Sequence, residues 1–439
     1  SRISAYRAGF LPDERRRIEA RLASGELTAV ISTSALELGI DIGNLDVCIL
    51  VGYPGSVVAT RQRGGRAGRD GQEAALVVVA GDDALDQYFL HHPARLVHGT
   101  PEAAVVNPDN PEICAPHLCC AAAELPLERS EALLMQPALR RLADRLAADG
   151  ELMLDAGGNR YFARRKAPHR HVHLRGSGTR FRIVTRDGRR LLGEVDHLRA
   201  FRETHPDAIY LHQGQNYRVV ELDVANTTVT VVPQQMEYYT RVHSRKDTDI
   251  IETHQVWRAG DVQVCMGRLR VTEQVVGYEK WRVHGRRSMG RATLDLPPVV
   301  FDTEGFWFAV PRRLLNALEG RGHHVMGALH AVEHALIGIL PLMILADRND
   351  VGGIATPFHP QLHQAAVLIY DGIPGGAGIS REAYAHFLGL LEAARDQVAR
   401  CACTNGCPAC VHSAKCGSGN RPMDKAGAGR LLAALAACP

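Results

Sequence analysis

Apolar and polar positions change rhythm several times along the chain. Over residues 1–95 a helical pattern, "PDERRRIEARLASG", alternates with short and nearly all-apolar runs, "TAVIS", "DVCILV" and "AALVVVA". Such runs between helices predict a parallel sheet covered on both faces, an α/β lobe. Ile18 and Leu22 fall on the helix face that would meet the sheet, and Gly25 is placed to end that helix. From Pro111 to Lys166 the pattern is helical and closes with "ELMLDAGGNRYFARRK", a hairpin ending in Arg164, Arg165 and Lys166. Two helices and a hairpin predict a winged helix with a basic wing. Period-two alternation dominates residues 171–290, with turns at Asp187-Gly188 and Asn226, and predicts a β-rich module, a small barrel or sandwich. Helical stretches return after Pro311.

The expected architecture is therefore mixed α/β and α+β and multidomain: an α/β lobe over 1–95, a winged-helix region over 96–170, a β-rich module over 171–290 and a C-terminal α/β domain over 291–439. A chain of 439 residues, 46% hydrophobic, has material for about three or four cores. No uninterrupted apolar run reaches membrane-spanning length, and "SRISAYRAGF" has no signal-peptide core, so a cytoplasmic location is expected. The start, without Met and inside a helix-forming stretch, reads as a fragment. A net charge of +3 is uninformative, but Arg160 to Arg190 holds eleven Arg or Lys against the single acid Asp187. That density points to a polyanionic partner.

In a reducing compartment a local cysteine cluster binds metal more often than it forms disulfides. "CACTNGCPACVHSAKC" carries five of the eleven cysteines. Cys403, Cys407, Cys410 and Cys416 give C-x₃-C-x₂-C-x₅-C, four thiolates suited to tetrahedral Zn²⁺ with no open position, hence structural. Cys401 competes as first ligand, and an iron–sulfur cluster or free thiols are the alternatives. The other six, Cys48, Cys114, Cys119, Cys120, Cys265 and Cys438, read as ordinary buried hydrophobes.

Two stretches of the first lobe carry further chemistry: "STSALELGIDIG" and "QRGGRAGRDG". In the second, Gln62, Arg66 and Arg69 recur at i, i+4 and i+7, so one helix face would present an amide and two guanidiniums, groups that contact phosphate oxygens in bidentate fashion. Gly64, Gly65 and Gly68 weaken a plain helix and signal close backbone approach. No Gly-x-x-x-x-Gly-Lys-Ser/Thr and no Asp-Glu-x-His box occurs, so half of an ATPase site is missing and this chain alone is not expected to hydrolyse ATP.

Together these stretches resemble motifs V and VI of superfamily 2 helicases, with Gln-x-x-Gly-Arg-x-Gly-Arg complete in "QRGGRAGR". The resemblance implies a second RecA-like lobe in which Arg66 and Arg69 are arginine fingers and Gln62 orients the γ-phosphate or attacking water. It also implies that Gly39 and Asp41 belong to the ATP site and that Thr33 touches the nucleic-acid backbone. Further landmarks, among them "LHAVEHALI", "DRNDVGGIATPFHP", "IYDGIPGGAG" and "CTNGCPACVHSAKCGSGNRPMDKAGA", are similar to the mitomycin repair factor A family of bacterial DNA helicases. That similarity implies an ATP- and Mg²⁺-dependent, 3′ to 5′ DNA helicase of DNA repair, with a winged helix and one structural Zn²⁺ per chain. Its partners would be single-stranded DNA and duplex junctions, engaged by a monomer. Arg164, Arg165, Lys166 and Arg175 would follow DNA phosphates.

Two other classes compete. One is a non-catalytic zinc-containing nucleic-acid-binding module. The other is a metallopeptidase, because "HAVEH" is H-x-x-E-H, with His330 and His334 as metal ligands and Glu333 as base. In so apolar a helix, histidines bonded to backbone or to an acid such as Asp347 are the expected reading. The loop "YDGIPGGAG" lacks the Lys-Ser/Thr of a P-loop and reads as a tight strand-to-helix turn, with a DNA phosphate on its amides as the alternative.

Overall fold

The computed structural model describes residues 2–6, 12–37, 45–68, 71–172, 179–212, 214–285, 287–347 and 350–437. Gly39, Asp41, Arg69, Arg175 and Cys438 lie outside the described residues.

The first lobe contains β1 (Ile3–Tyr6), α1 (Pro12–Ala23), β2 (Ala29–Ser32), β3 (Val47–Val51), α2 (Val57–Gly64), β4 (Ala75–Val79), α3 (Ala84–His91) and α4 (Pro93–His98). β1 pairs with β2 and β3 with β4, both in parallel, as apolar strands joined through helices must. Gly25 ends α1 with φ 74°, and Ile18 and Leu22 are half-buried. The cover expected on both faces is not realised among the described residues: Ile31 is 71% and Val51 87% exposed.

α5 (Pro111–Glu124), β5 (Leu127–Glu128), α6 (Pro137–Ala148), β6 (Leu152–Leu154) and β7 (Arg160–Ala163) form the winged helix, with sheet order β5-β7-β6. Its core includes Leu118, Leu134, Leu152 and Tyr161. Asp155 holds the wing turn by accepting from the Asn159 amide at 2.7 Å.

The next unit comprises β8 (Arg180–Thr185), β9 (Leu191–Asp196), α7 (His197–Glu203), β10 (Ile209–His212), β11 (Gln215–Asp223) and β12 (Thr228–Pro233). Its five strands run β10-β11-β12-β8-β9 over a core of Phe181, Ile183, Val219, Val229 and Val231. The β-rich stretch of the sequence is more than this sheet. β13 (Tyr238–Ala259) and β14 (Val262–Arg282) form a long antiparallel hairpin that joins β15 (Ser288–Thr293), β16 (Val299–Ala309), β17 (Val351–His359) and β18 (Gln364–Asp371) in a second, six-stranded sheet. Position 290 thus falls inside β15 of that sheet. Alternation marks a residue as strand but carries no information on its distant pairing partner.

Helices α8 (Arg312–Glu319), α9 (Val325–Ile339), α10 (Ile379–Ala385), α11 (Phe387–Arg400) and α12 (Lys425–Ala436) complete the last domain. The largest core joins α9, α11 and α12 to the sheet through residues such as Phe306, Phe308, Leu329, Leu336, Phe387 and Leu432. Residues 325–342 are long and apolar enough to cross a membrane, but most of the stretch is buried inside the protein, as in a core helix.

Candidate functional site

The arginine-bearing segment of the first lobe starts at Ser56, whose side chain accepts from the Ala59 amide at 3.0 Å and caps α2. Val57, Ala59 and Thr60 are buried and Gln62 is exposed. The helix stops at Gly64, so Arg66 stands beyond its end and not on a continued helical face as the i, i+4, i+7 spacing suggested. The glycines explain the stop. A Cβ on Gly64 would lie 2.9 Å from Leu76 Cδ2, and Gly68 combines φ 71° with a Cβ position 2.9 Å from Ala74 Cβ. The Arg66 guanidinium donates to the Glu37 carbonyl, while Arg63 Nε donates to Glu37 Oε2 at 2.9 Å. Glu37 therefore ties the two sequence stretches together. Sequence reasoning passed it over, although an acid between Leu36 and Leu38 is a signal of a buried partner. Thr33 is exposed and precedes a short 3₁₀ turn, Ser34–Leu36.

Arg164, Arg165 and Lys166 are exposed just after β7. The fold brings acids to the basic stretch that the sequence kept distant: Arg160 pairs with Glu128 at 2.9 Å, Arg165 with Glu151 at 3.5 Å and Arg180 with Glu194 at 3.2 Å. These exposed pairs are weak and leave the guanidiniums available to phosphate.

In the last domain Cys401, Cys403, Cys407 and Cys410 place their sulfurs within 4.8 Å of one another. Cys401 to Cys407 is 3.4 Å, Cys403 to Cys410 3.5 Å and Cys407 to Cys410 3.8 Å. A tetrahedral centre with Zn–S bonds of about 2.3 Å puts its sulfurs ~3.8 Å apart, so the group fits Zn²⁺. Burial raises the Cys403 thiol, but hydrogen bonds from Cys410, Cys401 and Cys407 outweigh it and bring the group down to about 7. Lys425 Nζ donates to the carbonyls of Cys401 (2.5 Å) and Cys403 (2.6 Å), fastening the loop to α12.

Cys416 does not join this group, which corrects the set expected from spacing: Cys401 takes its place. A turn, closed by the Cys416 amide on the Ser413 carbonyl at 3.3 Å, carries Cys416 to α9 instead. There it forms a second cluster with His330 and His334, its Sγ 3.4 Å from His330 Nε2. His330 Nδ1 donates to the Pro422 carbonyl at 2.9 Å and His334 Nδ1 to the Val411 carbonyl at 2.8 Å, backbone partners as expected for buried histidines. Burial opposes ionisation of Cys416, yet hydrogen bonds from His330, His334, Ser418 and the Asn420 amide pull its thiol down to about 4. Glu333 is buried and stands outside the cluster, against β17, where a Cβ on Gly353 would meet its Oε1 at 2.7 Å.

The glycine-rich loop is filled from within the protein. Asp371, at the end of β18 and fully buried, accepts from the amides of Ala377 (2.7 Å), Gly378 (2.8 Å), Ile379 (3.2 Å) and Ser380 (2.7 Å). Asn110 Nδ2 donates to the carbonyls of Pro374 and Gly376 at 3.0 and 2.8 Å. This is a strand-to-helix turn with an internal carboxylate where a phosphate would otherwise sit. Of the remaining cysteines that the structure describes, Cys265 is buried, whereas Cys48, Cys114, Cys119 and Cys120 are half-buried, more open than expected.

Three family models match the chain: a helicase conserved C-terminal domain over residues 1–71, the winged helix domain of ATP-dependent helicase HRQ1 over 106–177, and the MrfA Zn-binding domain over 332–411. The uncharacterized ATP-dependent helicase YprA of Bacillus subtilis is 32% identical over 93% of this chain and 54% of its own length. ATP-dependent helicase HRQ1 of Saccharomyces cerevisiae is 30% identical over 98% of this chain and 41% of its own. The crystal structure of the DUF1998 helicase MrfA bound to DNA superimposes with a TM-score of 0.61 at 30% identity, covering 99% of this chain and 57% of that one. The chain thus spans about half the length of the relatives it matches. With a helicase C-terminal lobe, a winged helix and a zinc-binding domain in the same order, the chain matches the C-terminal part of the MrfA-like helicases domain by domain.

Proposed function

We propose that this chain is the C-terminal part of an ATP-dependent DNA helicase of superfamily 2 that moves 3′ to 5′ and acts in DNA repair. The observation that carries the reading is the "QRGGRAGR" segment, with Gln62 exposed at the end of α2 and Arg66 fastened to Glu37 at the helix stop. In the intact protein a Walker-bearing lobe holds ATP and Mg²⁺, which supply the phosphoryl transfer that drives closure of the two lobes. Arg66 and Arg69 reach across the cleft and stabilise charge on the γ-phosphate, and Gln62 orients the attacking water. Gly39 and Asp41 belong to the same nucleotide site. Taken alone, the chain has no lysine-bearing phosphate loop and does not hydrolyse ATP.

Thr33, Arg164, Arg165, Lys166 and Arg175 bind the DNA backbone without reading sequence. A crystal structure of the relative MrfA contains DNA and AMPPNP, which supports both ligands here. Cys401, Cys403, Cys407 and Cys410 hold a structural Zn²⁺ that keeps the last domain folded. We place the enzyme in the cytoplasm as a monomer. Unwinding of a duplex with a 3′ single-stranded tail by the intact protein tests the proposal: strand separation that requires ATP and a 3′ tail supports it, and separation from 5′ tails alone contradicts the polarity.

A further inference from the structure

We infer that His330, His334 and Cys416 form a second transition-metal site, separate from the four thiols, that takes Zn²⁺ and leaves one coordination position open.

His330 and His334 are one helical turn apart on α9, so their rings leave the same face, with centroids 4.3 Å apart. A carbonyl can only accept, so the contacts of both Nδ1 atoms with Pro422 and Val411 fix the proton on Nδ1. The Nε2 atoms then face Cys416, where an ion would take the place of the proton that His330 Nε2 otherwise shares with the thiolate. This is the arrangement that orients metal-ligating histidines, with one nitrogen donating to a backbone carbonyl and the other facing the ion. The ligand atoms of both histidines and Cys416 all lie within 4.8 Å of one another.

The distances suit the ion. A tetrahedral Zn²⁺ with Zn–N near 2.0 Å and Zn–S near 2.3 Å separates N from S by ~3.5 Å, and Cys416 Sγ lies 3.4 Å from His330 Nε2. Two nitrogens and one thiolate select a borderline-soft divalent cation over Mg²⁺ or Ca²⁺. The two histidines are 8% and 9% exposed on the rigid core helix, and the half-buried Cys416 reaches them from the segment between α11 and α12.

Three protein ligands with a vacant fourth position distinguish this cluster from the closed four-thiol site. The three ligands border a cavity of about 320 Å³ that Lys246, Lys415 and Arg421 line together with the Glu333 carboxylate, polar surroundings with room for water or a small ligand on the metal. Glu333 does not complete the coordination. The set is His₂Cys, and the H-x-x-E-H reading of the sequence named two of its ligands while missing the third.

Metal counting on the purified chain tests the inference independently of any helicase activity. Two Zn²⁺ per chain are expected, falling to one in Cys416→Ser and in His334→Ala, with the remaining ion lost only when Cys407 is also replaced. Cobalt reconstitution of the unaltered chain, which needs no variant to fold, should saturate at two equivalents. Thiocyanate should then shift the bands of the second equivalent. Saturation at one equivalent, or a Zn²⁺ content unchanged by Cys416→Ser, would overturn the site and leave Cys416 and His330 as a metal-free hydrogen-bonded pair; bands that ignore thiocyanate would overturn the open position.

Discussion

Cys416 Sγ lies 3.4 Å from His330 Nε2, on α9, and not beside the three cysteines that the spacing of the sequence groups it with. The four-thiol centre is completed by Cys401, whose carbonyl is held by Lys425. Cys401→Ser should therefore weaken Zn²⁺ at that centre by more than about 100-fold, since removing a direct ligand costs more than disturbing its surroundings. Cys416→Ser should leave the four-thiolate cobalt spectrum intact. A competition assay with a chromogenic chelator reads both.

Asp371 organises the loop between β18 and α10 by accepting from four consecutive amides and from the Ser380 hydroxyl at 2.5 Å. Replacement by Ala leaves those donors buried without an acceptor and should cost about 2–4 kcal/mol, against roughly 1 for Ser380→Ala. Denaturant unfolding of the two variants measures the difference. Nearly equal losses would mean that the loop is held by Asn110 instead.

Asp207 joins the five-stranded unit to the long hairpin. Its carboxylate accepts from Tyr278 at 2.9 Å and pairs with Arg218 at 3.0 Å and Lys280 at 3.4 Å. Burial raises this carboxyl, but Tyr278, Arg218 and Lys280 outweigh it and hold it below the usual range. A depressed folded-state value means that the contribution is complete above the unfolded value near ~3.9 and is lost as pH falls through the folded one. Melting temperatures measured from about pH 6 downward should drop less steeply in Asp207→Asn than in the parent.

Arg164, Arg165 and Lys166 stand exposed beyond the wing. If each covers one phosphate, their joint replacement by Ala should weaken single-stranded DNA uniformly across sequences. The slope of log affinity against log salt should shrink by roughly 2. An unchanged slope would place the DNA path elsewhere.

The α/β lobe and the winged helix were legible because each rests on local periodicity and turn residues, such as Gly25 and the Asp155 to Asn159 reversal. The hairpin β13–β14 was read as strand but given to the wrong neighbours, since its bonds to β16 and through it to β18 join residues far apart in sequence. The same limit applies at the sites. Spacing located the cysteines, whereas Cys416 is redirected by its turn to a helix about eighty residues earlier. The glycine-rich loop was legible as a tight strand-to-helix turn, but sequence does not show that its amides are taken by the protein's own Asp371. Glu37 was missed because its partners, Arg63 and Arg66, are brought to it only when the two stretches fold together.

The central claim is that Arg66 and Arg69 act on a triphosphate held by another lobe. ATP turnover by the intact helicase, measured with saturating DNA in the parent and in Arg66→Ala, Arg69→Ala and the double variant, tests it most directly. The account predicts losses of about 10³-fold or more in each single variant, little further loss in the double, and DNA binding retained without nucleotide. Turnover by the double variant at the parental rate would contradict it.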